Sequence, residues 1–214
     1  MPSPLSRLSP LLEMGIHLIL RIFTGKQVTG CIPRIPREGT APPVIYYANH
    51  SSHLDGPLIW YALPRAIRRL THPIAGKDYW EKNRLRLFLA SRVFNVLMLE
   101  RAQERCCHAN RLSELTQALK RGESIILFPE GTRETDGYVT SFKPGLYHLH
   151  KQVPEALLIP VRLVNLNRVL PKGSIVPLPC QCRVHFGPPL EILPEEEKTL
   201  FLARAREALI SPAP

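Results

Sequence analysis

Two short apolar runs, each followed at once by a polar block, constrain the fold of this chain most strongly. Val44 to Ala48 ends at Asn-His-Ser-Ser-His-Leu-Asp, and Ser124 to Phe128 ends at Pro-Glu-Gly-Thr-Arg. Apolar runs of about four to eight residues are typical of strands that are buried on both faces, as in parallel sheets. Because ligands of such sheets bind beyond the carboxyl ends of the strands, both polar blocks are predicted to lie at one edge.

The rest of the chain alternates strand and helix signals. Three further strands are predicted, the last as an edge strand: Val96 to Leu99, Leu157 to Val161 and Arg183 to Phe186. Ala109 to Leu119 repeats apolar residues at helical spacing and stops at Gly122, and Leu200 to Ile210 predicts a closing helix. We therefore predict an α/β fold, a single domain with a mixed, mostly parallel central sheet flanked by helices.

An amphipathic helix is predicted near the N-terminus, from Leu11 to Phe23. Its ionisable residues recur every four positions and share one face: Glu13, His17 and Arg21. Crossing a bilayer takes about 20 apolar residues, so this helix is predicted to lie in a membrane interface or to pack on the protein's own core. We assign residues 1–30 to this interfacial helix and residues 31–214 to the main domain.

Charge and composition narrow the possible partners. The formal charge of +10 favours an anionic partner. Basic residues occur in short scattered groups and aromatic residues make up only 7%, so nucleic acid is not expected and an anionic membrane surface is favoured. The five cysteines form no Cys-x-x-Cys pair and no secretory signal is found, which predicts reduced thiols and peripheral attachment to the cytoplasmic face of a membrane. A metal site at Cys180, Cys182 and His185 is disfavoured, because the spacing matches no common zinc motif.

His50 and Asp55 are the candidate catalytic pair in the first block. Five residues of α-helix turn through about 500°, which would leave the two side chains about 140° apart on one helix. They can meet if His50 ends a strand and Asp55 begins a helix, as Gly56-Pro57 indicates. Asp55 would then fix the imidazole tautomer and leave the other nitrogen free to take a proton. Two alternatives stay open: a simple helix cap at Asp55, and a metal site that adds His53.

The second block places an acid, a hydroxyl and a guanidinium around a glycine turn. Pro129 ends the strand, and Gly131 lets the backbone approach a ligand closely. Arg133 offers forked donors that suit a phosphate group. The alternative is an ordinary turn in which Glu130 and Arg133 are solvated charges. Two weaker candidates for the same anion site lie elsewhere in the chain: Arg101 and Lys143.

With these blocks in this order and at this separation, the chain resembles the glycerolipid acyltransferases that convert lysophosphatidic acid to phosphatidic acid, and their lysophospholipid relatives. Asn49 to Asp55 is similar to the family's N-H-x4-D block, and Phe128 to Arg133 is similar to its F-P-E-G-T-R block. The resemblance makes residues 31–214 the acyltransferase domain. It implies that His50 is the general base, that Asp55 orients it, and that the acceptor is bound by Arg101, Glu130, Gly131, Thr132 and Arg133.

The resemblance also implies a reaction. The donor would be a fatty acyl thioester of coenzyme A or acyl carrier protein, with no metal or organic cofactor. We expect a single displacement, in which the acceptor hydroxyl loses its proton to His50 as it attacks the thioester carbonyl. The rival interpretations are a different lysolipid acceptor, a non-enzymatic basic membrane-binding module and a metal-dependent hydrolase. A nucleophilic Ser51 or Ser52 is disfavoured, because neither lies in a Gly-x-Ser-x-Gly elbow.

Overall fold

The computed structural model describes residues 25, 27–31, 41–81, 83–99, 105–133, 138–169, 178–191 and 193–211, together with Gly15 and Leu18. The N-terminal helix predicted from Leu11 to Phe23 lies almost entirely outside these residues and stays a prediction. Residues 27–30, which we assigned with that helix, form a strand of the central sheet. In the described part of the chain no helix is both long and apolar enough to span a bilayer.

One sheet holds the seven strands of the described residues. In chain order they are β1 (Gln27–Gly30), β2 (Val44–Ala48), β3 (Thr71–Gly76), β4 (Leu97–Leu99), β5 (Ser124–Leu127), β6 (Leu157–Val164) and β7 (Arg183–Phe186). Their order across the sheet is β1-β7-β6-β2-β5-β3-β4. All neighbouring strands pair in parallel except β6 and β7, which are antiparallel. The predicted mixed, mostly parallel α/β sheet is confirmed.

Helices cover both faces of this sheet. In chain order the described ones are α1 (Asp55–Ala62), α2 (Arg65–Arg68), α3 (Lys77–Trp80), α4 (Arg84–Phe88), α5 (Arg105–Lys120), α6 (Gly145–Gln152), α7 (Leu166–Val169) and α8 (Lys198–Ile210). A π-helix, Leu89–Val93, continues α4. The two helices predicted from apolar spacing correspond to α5 and α8, and Gly122 follows α5 with the positive φ of 81° typical of a C-terminal cap.

Two hydrophobic cores lie on opposite faces of the sheet. Neighbouring residues of a strand point to opposite sides, so Tyr46 and Ala48 of β2 enter the core shared with α1. Ile45 and Tyr47 enter the core shared with α5, α6 and α8. All five residues of β2 are buried, which explains why its sequence is continuously apolar instead of alternating. The central position of β2 fixes where the histidine block begins.

The sheet differs from the sequence-based prediction at three strands, β1, β3 and β7. Arg183–Phe186 has the predicted bounds but is not an edge strand, because β1 pairs on its outer side. That prediction was wrong because β1, with the sequence Gln-Val-Thr-Gly, has no apolar run from which a further strand could be predicted. β3 was not predicted, and it contains Pro73, a residue that argues against a central strand. Pro73 pairs with β5, and the ladder to β4 begins only at Ile74, so on that side there is no ladder for the proline to interrupt.

Candidate active site

A histidine and a carboxylate meet at the carboxyl edge of the sheet, just beyond β2. His50 lies two residues past the end of β2, and Asp55 is the first residue of α1. The Nδ1 atom of His50 lies 2.9 Å from Oδ2 of Asp55. Asp55 is fully buried, whereas 22% of the His50 side chain is exposed. The strand-then-helix geometry expected for this pair is therefore present.

The Asp55 side chain is held in place by donors from its own loop. Its Oδ2 accepts hydrogen bonds from the backbone amides of Ser51, at 2.6 Å, and Ser52, at 2.8 Å, besides the one from His50. Its place in the first turn of α1 also favours negative charge through the helix dipole. Leu54 occupies the N-cap position, so Asp55 is not the helix cap considered as an alternative. This arrangement fixes the carboxylate where it can orient the imidazole.

The imidazole of His50 is oriented on two sides. The ring stacks on Phe128, with 4.2 Å between ring centroids and an interplanar angle of 19°. Because a carboxylate only accepts hydrogen bonds, Nδ1 must carry the hydrogen that Asp55 receives, which leaves the lone pair on Nε2. A partly exposed ring with a lone pair on Nε2 can take a proton from a bound hydroxyl.

Glu130 joins the two polar blocks. Its Oε1 accepts a hydrogen bond of 2.8 Å from the backbone amide of His50. Its Oε2 accepts from the backbone amide of Thr140, at 3.2 Å, and from the Thr140 hydroxyl, at 3.0 Å. Only 3% of Glu130 is exposed, and both oxygens are engaged by the protein. The geometry thus favours a positioning role for Glu130 over the acceptor-binding role that the resemblance implied, since a carboxylate also repels a phosphate.

Gly131 and Lys143 form the exposed side of the second block. Gly131 has a φ of 73°, a conformation that other residues rarely adopt. A Cβ atom at Gly131 would lie 2.6 Å from Nζ of Lys143, so the lysine side chain crosses directly over the glycine. The backbone amide of Lys143 also donates to the carbonyl of Pro129, at 2.8 Å. Lys143, a weak candidate in the sequence, is therefore an integral part of the turn.

The other residues predicted to bind the acceptor are less well defined by the structure. Thr132 and Arg133 follow Gly131 and are exposed, and neither side chain bonds to a described residue. Arg101 lies outside the described residues, so its predicted contact with the acceptor stays a prediction.

His53 is half-buried, and in the described part of the chain no three His, Cys, Asp or Glu side chains are grouped to hold a metal ion. His185 instead bonds to the hydroxyl of Thr29, at 2.9 Å.

Asn49, the first residue of the histidine block, has a structural role that the sequence did not predict. Its side-chain amide donates to the carbonyl of Leu163, at 3.0 Å, and its carbonyl oxygen accepts from the Leu163 amide, at 2.8 Å. The side chain thus replaces a strand residue and extends the ladder between β2 and β6 by one pair. It is 6% exposed, and it anchors the backbone immediately before His50. Its position directly before the histidine was the one signal in the sequence.

Arg162 of β6 is a second residue that was missed. Its Nη1 atom is buried and has no hydrogen-bond partner among the described residues. Burial lowers the pKa of Arg162, and the negative charge of Glu130 partly offsets that effect. The guanidinium therefore supplies positive charge near the buried Glu130 carboxylate. No pattern in the sequence distinguishes this arginine from the other basic residues.

Together these features define a class of site: a histidine oriented by a carboxylate, beside a cationic glycine turn, at the carboxyl edge of an α/β sheet. The family model described as Acyltransferase matches residues 31–164, which is more than half of the chain. The chain belongs to this acyltransferase family.

Relatives with curated names agree with this assignment. The chain is 29% identical over 149 residues to the chloroplastic 1-acyl-sn-glycerol-3-phosphate acyltransferase LPAT1 of Arabidopsis thaliana, covering 67% of this chain and 37% of the relative. It is 24% identical over 163 residues to the 1-acyl-sn-glycerol-3-phosphate acyltransferase of Limnanthes douglasii, covering 72% and 52%. The chain thus spans about half or less of the length of these relatives.

A solved structure shares the fold. The crystal structure of the 1-acyl-sn-glycerophosphate (LPA) acyltransferase PlsC from Thermotoga maritima superimposes with a TM-score of 0.65 at 23% identity. The match covers 95% of this chain and 80% of that one. At this identity the likeness shows a common architecture, and the chemistry has to be argued from the residues.

Proposed function

We propose that this protein transfers a fatty acyl group from an acyl thioester to the free hydroxyl of 1-acylglycerol-3-phosphate, giving phosphatidic acid. The donor is acyl-coenzyme A or acyl carrier protein, and His50 is the general base. One observation carries the proposal: the hydrogen bond from the His50 amide to Glu130 joins a carboxylate-oriented base to a cationic turn. The choice of acceptor is supported by the relatives named as 1-acyl-sn-glycerol-3-phosphate acyltransferases.

The reaction is a single displacement. Nε2 of His50 takes the proton of the acceptor hydroxyl while the oxygen attacks the thioester carbonyl carbon. The tetrahedral intermediate then collapses, the carbon–sulfur bond breaks, and the imidazolium returns its proton to the leaving thiolate. Asp55 stabilises the charged ring between these steps, since its carboxylate bonds to Nδ1. The thioester is already activated, so the proposed reaction needs no metal ion or organic cofactor.

The acceptor phosphate is placed by the exposed cations of the second block. Lys143 crosses Gly131, and Arg133 follows two residues later. Both are exposed, so a phosphate can reach them without displacing an internal ion pair. Arg101 is assigned to the same set by the resemblance. Anchoring the phosphate holds the acceptor hydroxyl near His50, which converts a chance encounter into a positioned reaction.

The protein is further proposed to act as a peripheral protein on the cytoplasmic face of a membrane. Its acceptor and its product are both membrane lipids, and the formal charge of +10 favours an anionic lipid surface. Vesicle binding is therefore expected to weaken as salt screens this attraction.

The decisive experiment is a mass-spectrometric screen of lysolipid acceptors with acyl-coenzyme A and with acyl carrier protein as alternative donors. His50→Ala should lower acyl transfer by at least about 10² to 10⁴-fold, the usual contribution of a positioned base. His148→Ala is the matched control, because His148 is an exposed histidine on α6 that lies outside the site. Near-normal turnover by folded His50→Ala protein would remove the mechanism.

Further outcomes separate the alternatives. Arg133→Ala should mainly raise the KM for the acceptor, with little change in the KM for the donor. Preference for another lysolipid would keep the mechanism and replace the acceptor. Binding of anionic vesicles by wild-type protein without release of the thiol carrier would favour a non-enzymatic membrane-binding module.

A further inference from the structure

The C-terminal helix reaches the active site through one arginine. Arg206 of α8 donates from Nη2 to the carbonyl of Val139, at 2.7 Å, and from Nε to the same carbonyl, at 3.0 Å. Nε also lies 3.2 Å from the carbonyl oxygen of Thr140. α8 follows the segment matched by the acyltransferase family model, residues 31–164. Neither polar block of the sequence contains any of these three residues.

The carbonyl that Arg206 holds belongs to the same peptide plane as the amide that holds Glu130. In a trans peptide the C=O of Val139 and the N–H of Thr140 point in opposite directions. Arg206 therefore grips one side of the plane, while the Thr140 amide donates to Oε2 of Glu130 on the other side, at 3.2 Å. A charged donor on the carbonyl also polarises the plane and strengthens the amide as a donor.

Glu130 passes this constraint to the catalytic histidine. Its other oxygen, Oε1, accepts from the His50 amide at 2.8 Å. A continuous path of hydrogen bonds thus runs from Arg206 through the Val139–Thr140 peptide and Glu130 to the backbone of His50. Two of its members are well buried, Val139 at 5% and Glu130 at 3% exposure, so water competes weakly for these bonds.

We propose that Arg206 is a positioning residue for catalysis, which sets the place of the His50 imidazole through the Val139–Thr140 peptide and Glu130. This proposal rests on the proposed function for its kinetic consequence. The described hydrogen bonds of the Arg206 side chain go to the backbone carbonyls of Val139 and Thr140 and not to a predicted substrate-binding side chain, so its loss should misplace the base without weakening substrate binding. A misplacement of about 1 Å lowers rates by about 10²-fold, so a smaller shift should lower kcat by about tenfold.

The same helix offers a matched control. Arg204 also makes three hydrogen bonds, from Nε to Oε1 of Glu196 at 2.9 Å, and from Nη2 to Oε2 of Glu196 and to the carbonyl of Glu191, both at 2.7 Å. These bonds tie α8 to the segment that precedes it and do not reach Glu130. Arg204→Met and Arg206→Met therefore remove equal numbers of bonds from one helix, but only the second interrupts the path to His50.

The experiment combines steady-state kinetics with amide hydrogen exchange in the full chain. Arg206→Met should lower kcat about tenfold or more, with the KM for both substrates changed less than about twofold. Arg206→Lys keeps the charge but not the forked donors, so it should recover part of the loss. Arg204→Met should lower the melting temperature but leave kcat within about twofold of wild type. Equal kcat losses in the two methionine variants, or none in Arg206→Met, would overturn the proposal.

A double-mutant cycle identifies the route. If Arg206 acts through Glu130, Arg206→Met should lower kcat much less in a Glu130→Gln background than in wild type. Full additivity of the two losses would overturn the proposed path. Should Arg206→Met fail to fold, the same cycle with Arg206→Lys gives the same reading.

Hydrogen exchange separates failure of this inference from failure of the proposed function. The His50 amide should exchange about tenfold faster or more in Arg206→Met than in wild type, and at the wild-type rate in Arg204→Met. Unchanged exchange in Arg206→Met overturns the inference whatever the kinetics show. Faster exchange in Arg206→Met, found together with a wild-type protein that transfers no acyl group, would instead reject the proposed function and keep the path to His50.

Discussion

The role of Glu130 can be tested by a change of a single atom, Glu130→Gln. The glutamine keeps the shape of the side chain but replaces one oxygen with an NH₂ group that can only donate. If its oxygen faces the His50 amide, the new donor faces the Thr140 amide, which is also a donor. The Thr140 hydroxyl can rotate to accept, so one hydrogen bond is lost and one amide is left unpaired.

The size of the effect follows from this geometry. A hydrogen bond to a charged group contributes about 1.5–3 kcal/mol, and an unpaired buried donor costs about 1–3 kcal/mol. Thr140 is half-buried, so water can partly replace the lost bond, and the amide also loses less hydration than a carboxylate. We therefore expect the free energy of unfolding to fall by about 1–2 kcal/mol. Because the loss falls beside His50, kcat should drop by about tenfold, the equivalent of about 1.4 kcal/mol.

Two measurements check this prediction. Urea unfolding gives the free energy of unfolding, and release of the free thiol from the acyl carrier gives kcat and the KM for the acceptor. Glu114→Gln is the matched control, because Glu114 is an exposed acid on α5. A rise in the acceptor KM with unchanged kcat and stability would refute the positioning role and restore the acceptor-binding role implied by the resemblance.

Three further predictions concern other parts of the structure. Asn49→Ala leaves the amide and carbonyl of Leu163 without partners, so the free energy of unfolding in urea should fall by about 2–5 kcal/mol; a loss below about 0.5 kcal/mol would contradict the strand-extending role. Gly131→Ala should raise the acceptor KM by displacing Lys143. Gly122→Ala is the control: Gly122 has a φ of 81° but no atom within 4 Å of the new Cβ, so this change should strain the backbone without raising the acceptor KM. Equal acceptor KM values in the two variants would count against the contact between Gly131 and Lys143. Burial lowers the pKa of His150 in the folded protein below its ordinary value of 6.5. The unfolded chain therefore binds the proton at a higher pH than the folded protein does. The free energy of unfolding, followed by urea unfolding, should fall as the pH is lowered from 7.5 to 5.5. His150→Phe keeps the ring that stacks on Phe201 and should flatten this dependence, and an unchanged pH slope would assign it to other groups.

Strands that are buried on both faces could be predicted from their own continuous apolar sequences. Val44–Ala48 is enclosed by both cores, so every residue had to be apolar, and its bounds could be read directly from the sequence. The strands β1 and β3 have no such continuous apolar run. β1 lies at the edge with mostly half-exposed or exposed residues, and β3 contains a proline that its place in the sheet tolerates. Their existence depends on neighbours supplied by distant parts of the chain, so local patterns did not reveal them.

For the candidate site, too, some features were determined by the sequence and others by the tertiary structure. The sequence by itself determined the chemical groups: an imidazole, a carboxylate near enough to orient it, and a cationic turn at the end of a second buried strand. The tertiary structure decided how these groups are used. Glu130 lies 80 residues from His50 in sequence, and Arg206 lies 67 residues from Val139. Only the adjacency of β2 and β5 and the docking of α8 bring them together, because contacts across such separations depend on strand order and helix packing, which local sequence patterns do not encode.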